Sequence, residues 1–189
     1  MVKPTALLLA LLLAACGDSS GTAGLTAAQI PIAHTPPGGY GDAFPATVLS
    51  ACTEPLVADA TDLRGMWKTV AVEVNGGTAP ANHPAWRHVE RIEQCGDRTV
   101  IAGGGVIHDM RCDGTFENGV HDVYQADYRT PLNVICTWES GVHVLQPTDL
   151  PGVRVTRSMD GDRLKFVYVS FTSWLERTGP PESPTPSVE

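Results

Sequence analysis

Basic residues are scarce in this chain: 13 Lys and Arg stand against 21 Asp and Glu, for a net charge of −8. Nucleic-acid phosphates and anionic headgroups both call for a basic surface, so neither a nucleic-acid partner nor a polybasic membrane patch is expected. No Cys-x-x-Cys pair occurs, which removes the signature of thioredoxin-like redox chemistry and of a zinc knuckle. The one Gly-x-Ser-x-Gly match, Gly17 to Gly21, precedes every predicted strand, and there is no Gly-rich phosphate loop, so hydrolase and nucleotide chemistry lack their usual support and no enzyme activity is expected. Residues 6–15 form the longest apolar run, far short of the roughly 20 residues a spanning helix needs.

What remains is an ordinary globular composition, 42% hydrophobic and 18% charged, which suits one core with flanking segments. Turn residues recur every eight to twelve positions or so, the spacing of an antiparallel meander rather than of βαβ units. Strands are predicted over 65–74, 88–93, 98–102, 106–111, within 119–128, and over 133–139, 142–146, 153–159, 163–169 and 171–177. About eight to ten strands in series leave two raw edges unless the sheet curls shut, so a single up-and-down barrel is favoured over a sandwich. The barrel domain is placed at 48–178. Residues 16–47, rich in Gly, Ser, Thr, Ala and Pro without apolar period, are expected to be a flexible tether, and 179–189 a disordered Pro-rich tail. Four cysteines, Cys52, Cys95, Cys112 and Cys136, favour two disulfides over free thiols or a metal site. Three pairings are open.

Two resemblances follow from short stretches. Lys3, the apolar run and Leu13-Ala14-Ala15-Cys16 resemble the export signal of bacterial lipoproteins. The resemblance implies a signal peptide over 1–15, removal before Cys16 and acylation of that thiol with diacylglycerol and palmitate-type chains. Gly17 after the anchor is similar to lipoproteins sorted to the outer membrane, facing the periplasm. Gly65-x-Trp67 at the first strand, with Trp174-Leu175-Glu176-Arg177 at the last, resembles the lipocalins and their calycin relatives. That family implies a barrel floor in which Trp67 lies beneath Arg177, and a cavity for a small hydrophobic ligand.

Candidate ligand-facing residues are Trp86 and His88, in and after the long first loop, and His108, His121, Trp138 and His143 on later strands. His108 and His121 are expected to face one another on adjacent strands, with His143 opposite Trp138. No carboxylate is fixed as a third ligand, since Asp109 and Asp122 follow their histidines directly and so point the other way; no metal and no cofactor are assigned. The expected function is a lipid-anchored binding module for a small apolar or amphipathic molecule. A solidly packed, partner-docking barrel is the first alternative, and metal or haem binding through His108, His121 and His143 the second.

Overall fold

The computed structural model describes residues 24–182. The export signal, Cys16 and the end of the Pro-rich tail lie outside the described residues. Eleven strands follow one another: β1 (Gly65–Val74), β2 (Gly77–Thr78), β3 (Val89–Cys95), β4 (Arg98–Gly103), β5 (Val106–Arg111), β6 (Val120–Val123), β7 (Pro131–Glu139), β8 (Val142–Pro147), β9 (Val155–Asp160), β10 (Arg163–Tyr168) and β11 (Phe171–Gly179). Their order in the sheet is β5-β4-β3-β1-β11-β10-β9-β8-β7-β6, with little β2 paired only to β1. First and last long strands therefore meet, and the meander wraps into the antiparallel barrel that the turn spacing predicts.

Local chemistry sets the reversals. Asn75-Gly76 and Ser140-Gly141 hold both central residues at positive φ, which matches the right-handed twist of the strands they join. Period-two alternation then aims one face of each strand inward. Leu132, Val134 and Cys136 of β7, Leu145 of β8, Val155 of β9, Leu164 and Phe166 of β10 and Leu175 of β11 join Trp67, Ile92, Ile101, Met110 and Val120 in one core.

β5 and β6 stand at the two ends of the strand order, and their seam is closed by other means. The disulfide Cys112–Cys136 ties the end of β5 to the middle of β7. Arg111 N–H donates to the Asn118 carbonyl at 2.8 Å, and Asp113 bridges Thr137. Thr35 fills the opening higher up: its Oγ1 accepts from Ile107 N–H at 2.8 Å and its own N–H donates to Asp122 Oδ2 at 2.9 Å. Two exposed strand edges are thus shielded by a disulfide and a strap.

That strap corrects the expected tether. Within 24–47 the chain is not loose; it lies against the outer face of β3, β4 and β5, whose residues in β3 and β4 are consequently all buried. Ile30, Leu49, Cys95, Val100 and Ile107 form a second apolar cluster there, and Cys52–Cys95 pins the strap to the wall. Most of the fastening is polar. The Arg98 guanidinium donates to the carbonyls of Ala27, Ile30 and Pro31 at 2.7–2.8 Å and is paired with Asp109 at 2.6 Å. Arg91 donates to the Pro45 and Ala46 carbonyls, and Glu93 accepts from Leu49 N–H. A segment with little apolar pattern is held through its backbone by charges on the strands beneath, a form of attachment that hydrophobic periodicity does not report. At the other end, Gly179 still belongs to β11 rather than to a loose tail.

Candidate functional site

The closed end of the barrel is built on Trp67. Its indole is fully buried, its Nε1–H donates to the Leu63 carbonyl at 2.8 Å, and the Arg177 guanidinium carbon lies 4.6 Å from the ring centroid. Gly65 is required beside it. Its φ is +154°, and a Cβ there would meet the Arg177 Cγ and the Gly179 carbonyl oxygen, each at 3.1 Å. The spacing Gly-x-Trp therefore has a mechanical origin: the glycine lets the final-strand arginine cross β1 to reach the ring.

Trp67 pairs across the sheet with Glu90, and at that level the interior turns polar. The buried Glu90 carboxylate accepts from Arg157 Nε at 3.0 Å and Nη2 at 2.8 Å, with His88 Nε2 at 3.1 Å. Burial opposes charge on Glu90, yet the Arg157 charge and the His88 hydrogen bond outweigh it and hold the carboxyl well below its ordinary range. Arg157 in turn lies over Phe166, its guanidinium carbon 4.4 Å from the ring centroid, and His88 stacks on the same ring at 5.3 Å.

Two histidines complete this layer. His143 faces Trp138 across β7 and β8, ring centroids 5.1 Å apart, with Nε2 3.2 Å from Cys136 Sγ. Burial, reinforced by the Arg157 charge, lowers its pKa to about 3. His108 is half-buried, and its pKa is lowered, chiefly by desolvation of the ring. The nearby Asp122 charge and the Val123 backbone act the other way without outweighing it. Its Nε2 is buried without a hydrogen-bond partner.

Five buried side-chain atoms without a hydrogen-bond partner lie on these inward-facing positions: Thr69 Oγ1, His108 Nε2, His143 Nδ1, Arg157 Nη1 and Ser173 Oγ. Such atoms cost about 1–3 kcal/mol each unless something fills the need. Two of the residues that carry them, His108 and Arg157, line a chamber of about 160 Å³ walled also by Ile101, Val106, Leu132, Val134, Leu145 and Val155. His88, Gln125, Phe166 and Tyr168 form its neck and also line a wider vestibule of about 930 Å³ at the open end. Trp86 borders that vestibule from a short 3-10 turn (Pro84–Arg87), where its Nε1–H donates to the Pro80 carbonyl at 3.0 Å. Gly105 belongs there too: a Cβ at its φ of +86° would strike the Tyr128 hydroxyl at 2.6 Å.

The sequence-predicted residues thus divide. His88, His108, Trp138 and His143 point inward, and Trp86 sits at the rim. His121 does not join them. It lies on the outer face, exposed, with Nδ1 2.7 Å from Asn133 Oδ1 and Nε2 2.8 Å from the Phe116 carbonyl. The expected pairing of His108 with His121 fails because β5 and β6 form no ladder: Thr35 lies in the seam between them, and His108 is paired only with Ile101 of β4. The three-histidine metal or haem site goes with it. Two other groups bring three potential ligands within reach of one another, Cys112, Cys136 and His143, and Cys52, Glu54 and Cys95. In each the sulfurs are tied in a disulfide and offer no thiolate.

Glu90 and Arg157, the centre of the layer, were missed by reasoning from sequence. A signal exists: each sits at inward parity, Glu90 two before Ile92 and Arg157 two after Val155, and a charge on an apolar face calls for a partner.

No family model and no curated protein matches this chain. Among solved structures 28 chains are similar, one of them titled "Human cRBP IV", 16% identical over 62% of this chain and 99% of that one, with a TM-score of 0.43. So loose a likeness carries no weight; the barrel stands on its own strand order.

Proposed function

We propose that this protein is a binding module, anchored at a bacterial envelope through an acylated Cys16, whose barrel takes a small apolar or amphipathic molecule. The observation that carries the reading is the hollow upper barrel: an apolar-walled chamber that opens by a polar and aromatic neck into a vestibule. Binding sites for small molecules have this form, mostly apolar lining with a few convergent polar groups. The lower barrel is filled by Trp67, Ile92, Leu164 and Leu175, so the packed-scaffold alternative describes the floor but not the mouth.

Native mass spectrometry of the protein from membranes of its own host tests both halves. The expected result is a mature N-terminus at Cys16 carrying a diacylglycerol, and a co-purifying small molecule released on unfolding. A fluorescent naphthylamine probe should bind the delipidated protein with saturable affinity, and Val106→Trp, which fills the chamber, should weaken it severalfold. A protein that carries no ligand and shows no saturable probe binding would remove the reading.

A further inference from the structure

We infer that the vestibule at the open end takes a neutral molecule built on a flat, fused aromatic ring system. The inference rests on the binding reading above and names the class of ligand for that same opening.

The two spaces at the open end have different walls. Aliphatic side chains line the inner chamber, among them Ile101, Leu132, Leu145 and Val155. The vestibule has no Leu, Ile or Met in its lining, yet seven of the chain's twelve Phe, Tyr and Trp residues are there. Six of them converge from four separate places: Tyr40 and Phe44 from the strap, Trp86 from the 3-10 turn, Tyr128 from the loop after β6, and Tyr168 with Phe171 from the hairpin of β10 and β11. None of these six is fully enclosed, and Tyr168 is 44% exposed, so ring surface remains open to a ligand. Phe166, the seventh, is buried at the neck under His88 and Arg157.

Apolar burial alone does not call for such a lining, because aliphatic side chains offer area of the same kind. Rings add a negative face and a positive edge, which favour offset or edge-on contact with another ring. The side chains at the opening already meet one another in this way: Tyr168 and Phe171 have centroids 5.5 Å apart, Phe171 and His83 5.3 Å, and Tyr40 and Phe44 5.4 Å. Two rings on other sides are fixed in advance, Trp86 by its bond to the Pro80 carbonyl and Tyr128 by an O–H that donates to the Gly104 carbonyl at 3.1 Å. A lining held like this loses little freedom when a ring enters.

Size and charge narrow the class. About 930 Å³ is room for several fused rings, at the scale of sites that hold drug-sized molecules. The formally charged side chains in the lining are one acid and one base, Asp42 and Arg87, both exposed. Below them Glu90 and Arg157 are matched to each other at 2.8 Å. No excess of one sign is left to select an anion or a cation.

The test compares 2-naphthol with decahydro-2-naphthol, which shares its carbon skeleton and hydroxyl but is neither flat nor aromatic. Burial of apolar surface favours the saturated molecule at least as much, so a preference for naphthol reports the rings. Titration of the full chain by calorimetry or ligand-observed NMR at neutral pH should show 2-naphthol binding about fivefold tighter or more, and 2-naphthoate no tighter than 2-naphthol. Tyr168→Leu keeps an apolar side chain at an exposed position and should lower naphthol affinity about threefold while leaving the decahydro compound unchanged or improved. The comparison in the unsubstituted protein needs no variant to fold. Decahydro-2-naphthol binding as tightly as 2-naphthol, 2-naphthoate binding tighter, or a Tyr168→Leu variant that keeps the whole preference would overturn the inference. If none of the three compounds binds while the naphthylamine probe still does, the module reading stands and the aromatic class falls; if the probe fails as well, both fall.

Discussion

The two ends of this barrel obey different rules. At the floor, Trp67, Leu63, Ile92, Leu164 and Leu175 are fully buried, and the one indole N–H finds a carbonyl. One level up, a carboxylate, a guanidinium and three imidazoles share the interior, with polar atoms left over. Stability alone would not choose the second arrangement, because apolar side chains of similar volume are often neutral or better than a buried ion pair. The floor reads as construction and the layer above it as a site that gives up stability to keep its function.

The sharpest break comes from Glu90 and Arg157. Glu90→Leu alone leaves the buried guanidinium without its anion and should cost about 3–5 kcal/mol. The double variant Glu90→Leu/Arg157→Leu should recover most of that loss, since both charges leave together. At the floor Trp67→Ala should cost a similar 3–5 kcal/mol, but no second substitution at Arg177 should restore it. Urea midpoints for the four proteins make the test. A double variant as unstable as Glu90→Leu would mean that the upper layer is construction too.

Acid sharpens the contrast by a smaller amount. His143 keeps a pKa near 3 in the folded barrel against an ordinary 6.5, so below pH 6.5 the unfolded chain binds a proton that the native one refuses. Stability therefore falls as pH falls, by about 1.4 kcal/mol per pH unit for one such group. His108, also lowered, works in the same direction from the same upper limit. Glu90 contributes only further down: its folded pKa lies below its ordinary 4.5, so the stability it lends is lost below that pH. Unfolding curves at pH 7, 6 and 5 should slope accordingly, and His143→Leu should remove about one proton's worth of slope. An unchanged slope would place the acid sensitivity elsewhere.

How much of this was legible depends on what held each part. Strand positions could be read because Gly103-Gly104-Gly105, Ser140-Gly141 and Asp160-Gly161-Asp162 punctuate alternating runs, and β1 and β5 coincide with their predicted bounds. The floor could be read because Gly65 and Trp67 are two residues apart and only the matching arginine had to be supplied. The strap could not, since Arg98 grips backbone carbonyls 67 to 71 positions earlier, which any side-chain pattern allows. His121 was misplaced because β6 has four residues and sits at the seam, where the neighbour across it is the strap at Thr35 and not a ladder with β5. The polar layer joins Glu90 to Arg157 across 67 positions, and no local motif marks such a pair.

The smallest effect isolates the floor. Arg177 lies over Trp67 with its guanidinium 4.6 Å from the ring centroid, an arrangement worth about 0.5–2 kcal/mol. Its stem also covers the indole next to Gly65, so packing and charge must be separated. Arg177→Met keeps most of the stem and removes the charge, and should cost about 1 kcal/mol. Arg177→Ala removes both and should cost more. Neither should change the affinity of the naphthylamine probe for the chamber above, because Arg177 is not among the side chains that line it. A floor variant that altered probe binding as much as Val106→Trp would show that the two ends act as one unit, and the division between construction and site would have to be abandoned.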